Sequence, residues 1–272
     1  MPDRDIKRNW RGKPSGVRAE RGGGKPPVWK TARSGGAEDT AVLYGWHTVT
    51  AALANPARKF RKLVLTENTL RRLVQEGITL PLDPELVRPD AIAAQLSPDA
   101  VHQGLLAETE PLEGPAMEEL PAEGTVLVLD QVTDPHNVGA ILRSAAAFGV
   151  AALILPARYS PEATGVLAKA ASGALDIVPI VTVGNLVRAM AVLKERGFWA
   201  VGLDGDAEED LAGIKVPFPL ALVLGAEGKG MRQSTRAACD RLARLDMPGR
   251  IKTLNVSNAA ALALYIVTRP PA

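Results

Sequence analysis

Three short stretches in the second half of this 272-residue chain carry polar side chains at spacings that could do chemistry. In the first, Leu129 to Val150, a strand-like apolar run breaks at Asp134-Pro135-His136-Asn137, and Arg143 follows inside an Ala-rich stretch. Asn137 is a residue type that caps helix starts. An arginine in apolar company is costly to bury without a partner. Arg143 therefore reads either as half of a buried structural pair or as an active-site cation. The second stretch, Leu220 to Arg232, sets Gly225, Gly228 and Gly230 in a G-x-x-G-x-G pattern around Glu227. This is neither the dinucleotide fingerprint nor the phosphate loop of nucleotide hydrolases, and no Gly-Lys-Ser/Thr is present, so ATP binding is excluded. Such glycines let a backbone approach a ligand closely, and Glu227 could orient a substrate or neutralise a cation; a plain surface turn would use the same residues. In the third stretch, Met247 to Arg269, the polar residues Thr253, Asn255, Ser257 and Asn258 gather where a loop becomes a long apolar helix. Capping explains one or two of them. Four exceed what a cap requires.

These stretches need elements to hold them. Thr125–Leu129, Ala151–Leu155, Ile177–Val183, Trp199–Leu203 and Leu220–Leu224 read as buried strands, and Pro179 puts the third at a sheet edge or a bulge. Helical patterns fit Val138–Phe148, Pro161–Ala171, Leu186–Glu195 and Val256–Val267. Continuous apolar strands alternating with helices predict an α/β domain with a mostly parallel sheet covered on both faces. In such sheets ligands bind beyond the carboxyl ends of the strands, and the three polar stretches fall there or just after.

Upstream, residues 41–108 read as a smaller α/β unit: a helix from Gly45 to Ala54 stopped by Pro56, a strand Lys62–Leu65, a helix Leu70–Gln75 ending at Gly77, and a last strand Leu105–Ala107. Residues 109–123 are acidic and Pro-rich, as linkers often are. Residues 1–40 form a Gly- and Pro-rich arm unable to bury a core. Over residues 1–36 ten Lys and Arg stand against three acidic residues, a charge of +7, so the net +2 of the chain leaves −5 for the rest. A cationic arm is a ready phosphate binder, though a solubilising tail would have the same composition. Two basic clusters of the small unit, Arg58-Lys59 with Arg61-Lys62, and Arg71-Arg72, either extend that surface or form a solvated face. Cys239 is the sole cysteine, which excludes an internal disulfide and a Cys-rich metal site and fits a reducing cytoplasm. His47, His102 and His136 show no metal-ligand spacing. No apolar run approaches the roughly 20 residues that span a bilayer, and the basic start lacks the apolar stretch of a secretory signal.

Taken in order, the three stretches resemble the three motifs of the SpoU (TrmH-like) class of SPOUT RNA methyltransferases, over about 150 residues from Thr125 onward. Asn137 and Arg143 carry the first motif, Gly225-Ala226-Glu227-Gly228 the second, and Leu254-Asn255-Val256-Ser257 the third. The small unit is similar to that class's ribosomal-protein-like substrate-binding module, through Tyr44-Gly45-Trp46-His47-Thr48-Val49 and His102-Gln103-Gly104. Together these resemble the branch acting on guanosine of large-subunit (23S) ribosomal RNA. The resemblance implies a C-terminal trefoil knot, an exception to unknotted folding. It implies S-adenosylmethionine bound near Leu224, Gly225, Met247, Leu254 and Ser257, with no metal required. It implies a cytoplasmic homodimer whose site is completed at the subunit interface. Arg143 would act on the ribose 2′-hydroxyl, Asn137 and Asn255 would hold Arg143 and the substrate, and Glu227 would contact Arg143 or the third-motif loop. Thr253 stands where the class commonly has Ser; the hydroxyl is retained.

The same reaction on transfer RNA is the main alternative, disfavoured by the separate small unit. A non-catalytic ribosomal-RNA-binding assembly factor is a second, disfavoured because Arg143 and both asparagines are present. A dehydrogenase lacks its G-x-G-x-x-G after the first strand. Deleting residues 1–36 is expected to weaken RNA binding and flatten its dependence on salt; an unchanged slope in a salt titration would remove the arm from RNA binding.

Overall fold

A computed structural model describes residues 40–158, Leu167 and residues 170–269. The arm, but for Thr40, and most of the helix expected over Pro161–Ala171 lie outside the described residues. The small unit runs β1 (Ala41–Tyr44), α1 (Trp46–Ala54), β2 (Phe60–Leu65), α2 (Glu67–Gln75), β3 (Glu85–Leu86), α3 (Pro89–Ala93) and β4 (Leu105–Thr109). Its sheet has the order β1-β4-β2-β3, with β4 antiparallel to β1 and β2 and β3 parallel to β2. Leu43, Trp46, Val49, Leu63, Leu65, Leu73 and Leu105 form one buried core. Its two sequence motifs meet at one end of that sheet. The Trp46 amide donates to Gln103 Oε1 at 2.8 Å, and the Thr66 amide to the Gly104 carbonyl at 3.0 Å. Gly104, at φ +77°, leaves no room for a Cβ, which would lie 2.4 Å from Thr69 Oγ1. β1, β3 and α3 went unread in the sequence because they are short or carry little apolar pattern.

The larger sheet contains β5 (Thr125–Asp130), β6 (Ala152–Pro156), β7 (Ile180–Val183), β8 (Trp199–Leu203), β9 (Leu220–Gly225) and β10 (Arg241–Ala243). Their order is β10-β8-β9-β5-β6-β7 and every pairing is parallel. Alternate residues explain the continuous apolar runs. Leu127, Leu129, Leu153, Leu222 and Leu224 face a core shared with α4 (Pro135–Ala147) and α7 (Val256–Val267). Val126, Val128, Ile154, Ala221 and Val223 face the other, shared with α5 (Leu186–Glu195). Helices on both faces are what a parallel sheet needs. β7 is an edge strand as expected, and Pro179 sits just before it. A short helix α6 (Gln233–Ala238) and the three-residue β10 were not read from the sequence.

The chain from β9 goes on to β10 on one side of the sheet, whereas β5 leads to β6 on the other. β5 and β9 are therefore neighbours whose connections diverge, the place where open α/β sheets bind ligands. Their carboxyl ends, Asp130 and Gly225, are register partners.

The small unit is pinned to this sheet domain. The Asp176 carboxylate accepts from Arg58 Nε at 2.8 Å and from Asn55 Nδ2 at 3.0 Å, and the Arg58 and Asp176 side chains are only 4% and 1% exposed. A Cβ on Gly173 would lie 2.6 Å from the His47 carbonyl of α1. Residues after β4 are also held, because the Arg196 guanidinium donates to the Met117 and Leu120 carbonyls. Breaking a buried ion pair strands a charge and costs about 3–5 kcal/mol, whereas replacing both partners with apolar groups can be neutral. Arg58→Met is expected to lower stability by that amount in urea unfolding. The double variant Arg58→Met/Asp176→Leu should recover most of it.

Candidate active site

The glycine-rich segment after β9 is a tight hairpin. Ala226 and Gly230 bridge through two backbone hydrogen bonds of 3.1 and 2.8 Å, and Gly228 and Gly230 have φ of +74° and +64°. Glycine is required at Gly225 for another reason: a Cβ there would lie 2.1 Å from the Gly230 carbonyl carbon. The hairpin is tied to β5 by the wholly buried Asp130. Its carboxylate accepts from the Arg232 amide and Arg232 Nε, both at 2.8 Å. A carboxylate without that partner would be expensive at the end of a buried strand.

The helix after β5 starts earlier than its apolar pattern predicts. Asp134, not Asn137, is the N-cap: its carboxylate accepts from the His136 amide at 3.0 Å, and Pro135 occupies the first helical position. That correction frees the Asn137 side chain for another partner. Asn255 is that partner. It caps α7, its Oδ1 accepting from the Ser257 amide at 2.9 Å and the Ser257 hydroxyl at 2.6 Å. Its Nδ2 donates to Asn137 Oδ1 at 3.0 Å and to Glu227 Oε2 at 3.4 Å. One carboxamide thus joins all three polar stretches.

Beside this junction lies a cleft of about 450 Å³. Leu203, Leu224, Leu245, Met247, Leu254 and Val256 line its apolar part, and Gly225, Glu227, Lys229, Lys252 and Thr253 also border it. A Cβ on Gly205, Gly228 or Gly230 would meet nothing within 4 Å, so the backbone there is open to close approach. Of the expected cofactor residues, Leu224, Gly225, Met247 and Leu254 line the cleft, whereas Ser257 does not and is used by the Asn255 cap. Glu227 meets the third-motif loop through Asn255.

Arg143 stands apart. It is exposed and, among the described residues, has no ion pair or hydrogen bond, so it is not half of a buried pair. At 100° per residue, roughly 240° of helix separates it from Asn137. Asn137 and Asn255 hold each other within one chain rather than holding Arg143.

Asp130 with Arg232 was missed in the sequence, as was the cleft-lining pair Arg236–Asp204, 2.9 Å between Nε and Oδ2. Both aspartates close an apolar strand run, a signal that was available. Burial pushes the Cys239 thiol up to about 12, which leaves it a poor nucleophile. Among the described residues no group of three or more His, Cys, Asp or Glu side chains could hold a metal ion.

Residues 124–265 match the sequence model of the SpoU rRNA Methylase family. The chain belongs to that family. Residues 42–115 match a second model, RNA 2′-O ribose methyltransferase substrate binding. A 23S rRNA (guanosine-2′-O-)-methyltransferase RlmB from Vibrio cholerae is 40% identical over 243 residues, covering 84% of this chain and 96% of its own. The RlmB of Pseudomonas putida is 38% identical over 236 residues, covering 84% and 95%. Among solved structures, a TrmH-family protein from Porphyromonas gingivalis is 30% identical with a TM-score of 0.69, over 84% of this chain and 89% of that one. The SpoU methyltransferase AviRb from Streptomyces viridochromogenes, 23% identical over 84% and 88%, has the same fold at a TM-score of 0.72.

In this SpoU-family chain the hairpin's anchor generates a prediction. Asp130→Asn keeps the shape but weakens two charge-assisted bonds to Arg232. Amides of residues 226–232 are expected to exchange at least tenfold faster, the loss of roughly 1.4 kcal/mol of local protection. Unchanged exchange would show that Arg232 does not hold the hairpin.

Proposed function

We propose that this chain transfers a methyl group from S-adenosylmethionine to the ribose 2′-hydroxyl of a guanosine in large-subunit (23S) ribosomal RNA. The observation that carries the reading is the Asn255 junction, which gathers Asn137, Glu227 and the third-motif loop at the rim of the cleft. The relatives named for that reaction cover the small unit as well as the sheet domain, which favours ribosomal over transfer RNA.

The cleft suits the methyl donor. Its apolar part would take the flat base between Leu224, Met247 and Leu254, and the open backbone beside Gly205, Gly228 and Gly230 would meet the polar groups. When bound, S-adenosylmethionine supplies an already activated methyl group. The protein's task is to place and polarise the hydroxyl, a poor nucleophile without a base. Asn255 and Asn137 hold the rim rigid, with the Glu227 carboxylate beside them. Thr253 lines the cleft and offers a hydroxyl to the incoming ribose. Arg143 is the family's candidate for the 2′-hydroxyl. A guanidinium stays protonated, so its first role is to position the ribose and its phosphate and stabilise developing charge. Relay of the proton from O2′ would need the RNA phosphate to assist.

The same reading assigns the basic arm to residues 1–40, substrate binding to 41–108, a linker to 109–123 and methyl transfer to 124–272. It includes the trefoil knot: after β10 the chain pairs at Arg244 with Asp210 in the loop leaving β8, then turns into α7 against α4. It also includes a homodimer. Leu262 and Tyr265 lie exposed on α7, Tyr265 stacks edge-on with Phe148 just after α4, and Arg143 is on α4. A second copy on that face would cover the apolar residues and could bring Arg143 to its partner's site. The assignment to the cytoplasm rests on the substrate. No helix among the described residues is long and apolar enough to cross a membrane.

Incubating the full chain with labelled S-adenosylmethionine and unmodified ribosomal RNA should yield 2′-O-methylguanosine, with no label on transfer RNA. Label on transfer RNA alone would overturn the substrate; label on neither, with cofactor bound, would overturn the enzyme. Arg143→Ala is expected to slow transfer by a factor on the order of 10² or more, with fold and S-adenosylhomocysteine affinity kept. Retained turnover would remove Arg143 from the mechanism.

A further inference from the structure

Six of the seven cations of the small unit are already committed. Arg58 is buried against Asp176; Lys59 and Arg61 face Glu110; Lys62 pairs with Glu85; Arg71 and Arg72 pair with Glu67 and Glu76 along α2. Residues 41–108 carry seven basic and seven acidic side chains, so the unit has no net charge with which to draw phosphates. The two basic clusters are therefore already paired with carboxylates of this chain, mostly in exposed pairs of small worth.

The cations without an acidic partner include a set at the cleft. Lys229 sits at the tip of the glycine hairpin, exposed, between Gly228 and Gly230. Its backbone is fixed by the Lys229 amide to Glu227 carbonyl bond of 2.9 Å, by the Ala226–Gly230 bridge and by the Arg232–Asp130 clamp below. Arg250 and Lys252 stand on the loop before α7, both exposed, and the Lys252 Nζ donates to the Met247 carbonyl. Lys229 and Lys252 border the same cleft. Between Arg250 and Lys252, Ile251 is 76% exposed. An isolated apolar side chain in water is ordinary; one flanked by two cations, on a loop whose Met247 and Lys252 line the cleft, fits a partner with an apolar face and an anionic edge, which is a nucleotide. Arg88, Arg143, Arg188 and Lys215 also lack an acidic partner among the described residues, but none of them lies on the glycine hairpin or on the loop between cleft-lining Met247 and Thr253, where Arg250 stands.

We propose that Lys229, Arg250 and Lys252 form a phosphate clamp at the mouth of the cleft, gripping the RNA backbone on either side of the target nucleotide, with Ile251 against its sugar or base. The inference rests on the RNA reading above and adds where the backbone is held. Phosphate contacts fix register and orientation without reading sequence. A clamp on a preordered hairpin does so at small entropic cost, and it orients a ribose whose hydroxyl must meet the Asn255 junction. These are positioning residues, not catalytic ones.

The test uses the full chain and its Lys229→Gln/Arg250→Gln variant, neither residue having a side-chain partner to lose, and the triple variant with Lys252→Gln. Binding to a ribosomal RNA fragment is titrated against salt, S-adenosylhomocysteine affinity is measured by calorimetry, and methyl-transfer kinetics are split into kcat and KM. For the triple variant, RNA Kd and KM should rise roughly tenfold or more, and the salt slope should fall by about 2, given about 0.7 per single-strand phosphate contact. S-adenosylhomocysteine affinity should change several-fold less than RNA affinity, any residual effect tracing to the lost Lys252 bond to the Met247 carbonyl. Unchanged RNA affinity and slope would overturn the clamp, whether or not the wild-type chain methylates that RNA. A loss confined to S-adenosylhomocysteine would overturn it too, assigning these cations to the cofactor. A wild-type chain that binds RNA through the clamp yet methylates none would sink the enzyme reading alone.

Discussion

Asn255 has one carbonyl oxygen and one amide nitrogen, and the site depends on both. The oxygen takes the Ser257 amide in the first turn of α7 and the Ser257 hydroxyl; the two protons of the nitrogen reach Asn137 on α4 and Glu227 on the glycine hairpin. Aspartate could cap the helix as well but would repel Glu227 and offer no donor to Asn137. Serine could cap it but could not span to two other segments. The chemistry of a carboxamide, acceptor on one side and double donor on the other, is what lets three distant stretches converge on one atom group.

That junction would be loose if its partners moved. Each is held from behind by a separate device. Asn137 rides on a helix whose start is fixed by Asp134 and Pro135. Glu227 rides on a hairpin fixed by buried Asp130, whose charge is matched by Arg232. α7 is held by Ala260, Ala263 and Leu264 in the core it shares with α4. The energy that orders the site therefore comes mostly from apolar burial beneath it, and the polar bonds select one arrangement among those the core allows.

Legibility in the sequence tracked burial. β5, β8, β9, α5 and α7 were readable almost to the residue because both faces of the parallel sheet are covered and the apolar runs are long. β10 is three residues ending in Ala243, and β3 is two exposed residues; neither has a pattern to detect. The start of α4 was misplaced because Pro135, His136 and Asn137 lie outside the apolar core, so the apolar period begins only at Val138 while the cap lies at Asp134. The site was legible as three stretches. Which side chains touch was not, since Asn137 to Asn255 and Asp130 to Arg232 each join residues more than a hundred positions apart.

Charge completes the account of why Arg143 points away from the junction. Within one chain a guanidinium beside Asn137 would find Glu227 near at hand, and a direct pair between them would neutralise both. Helical geometry prevents this: a six-residue step turns Arg143 well away from Asn137, while an i+7 spacing would have brought them to one face. The Glu227 carboxylate is instead held by an amide, which orients it without cancelling its charge. Arg143 stays unpartnered and exposed on α4, and Leu262 and Tyr265 are exposed on α7. The cation and the carboxylate are thus kept apart within one copy of the chain. The separation costs little in water, where both are exposed to solvent and a direct pair would contribute little.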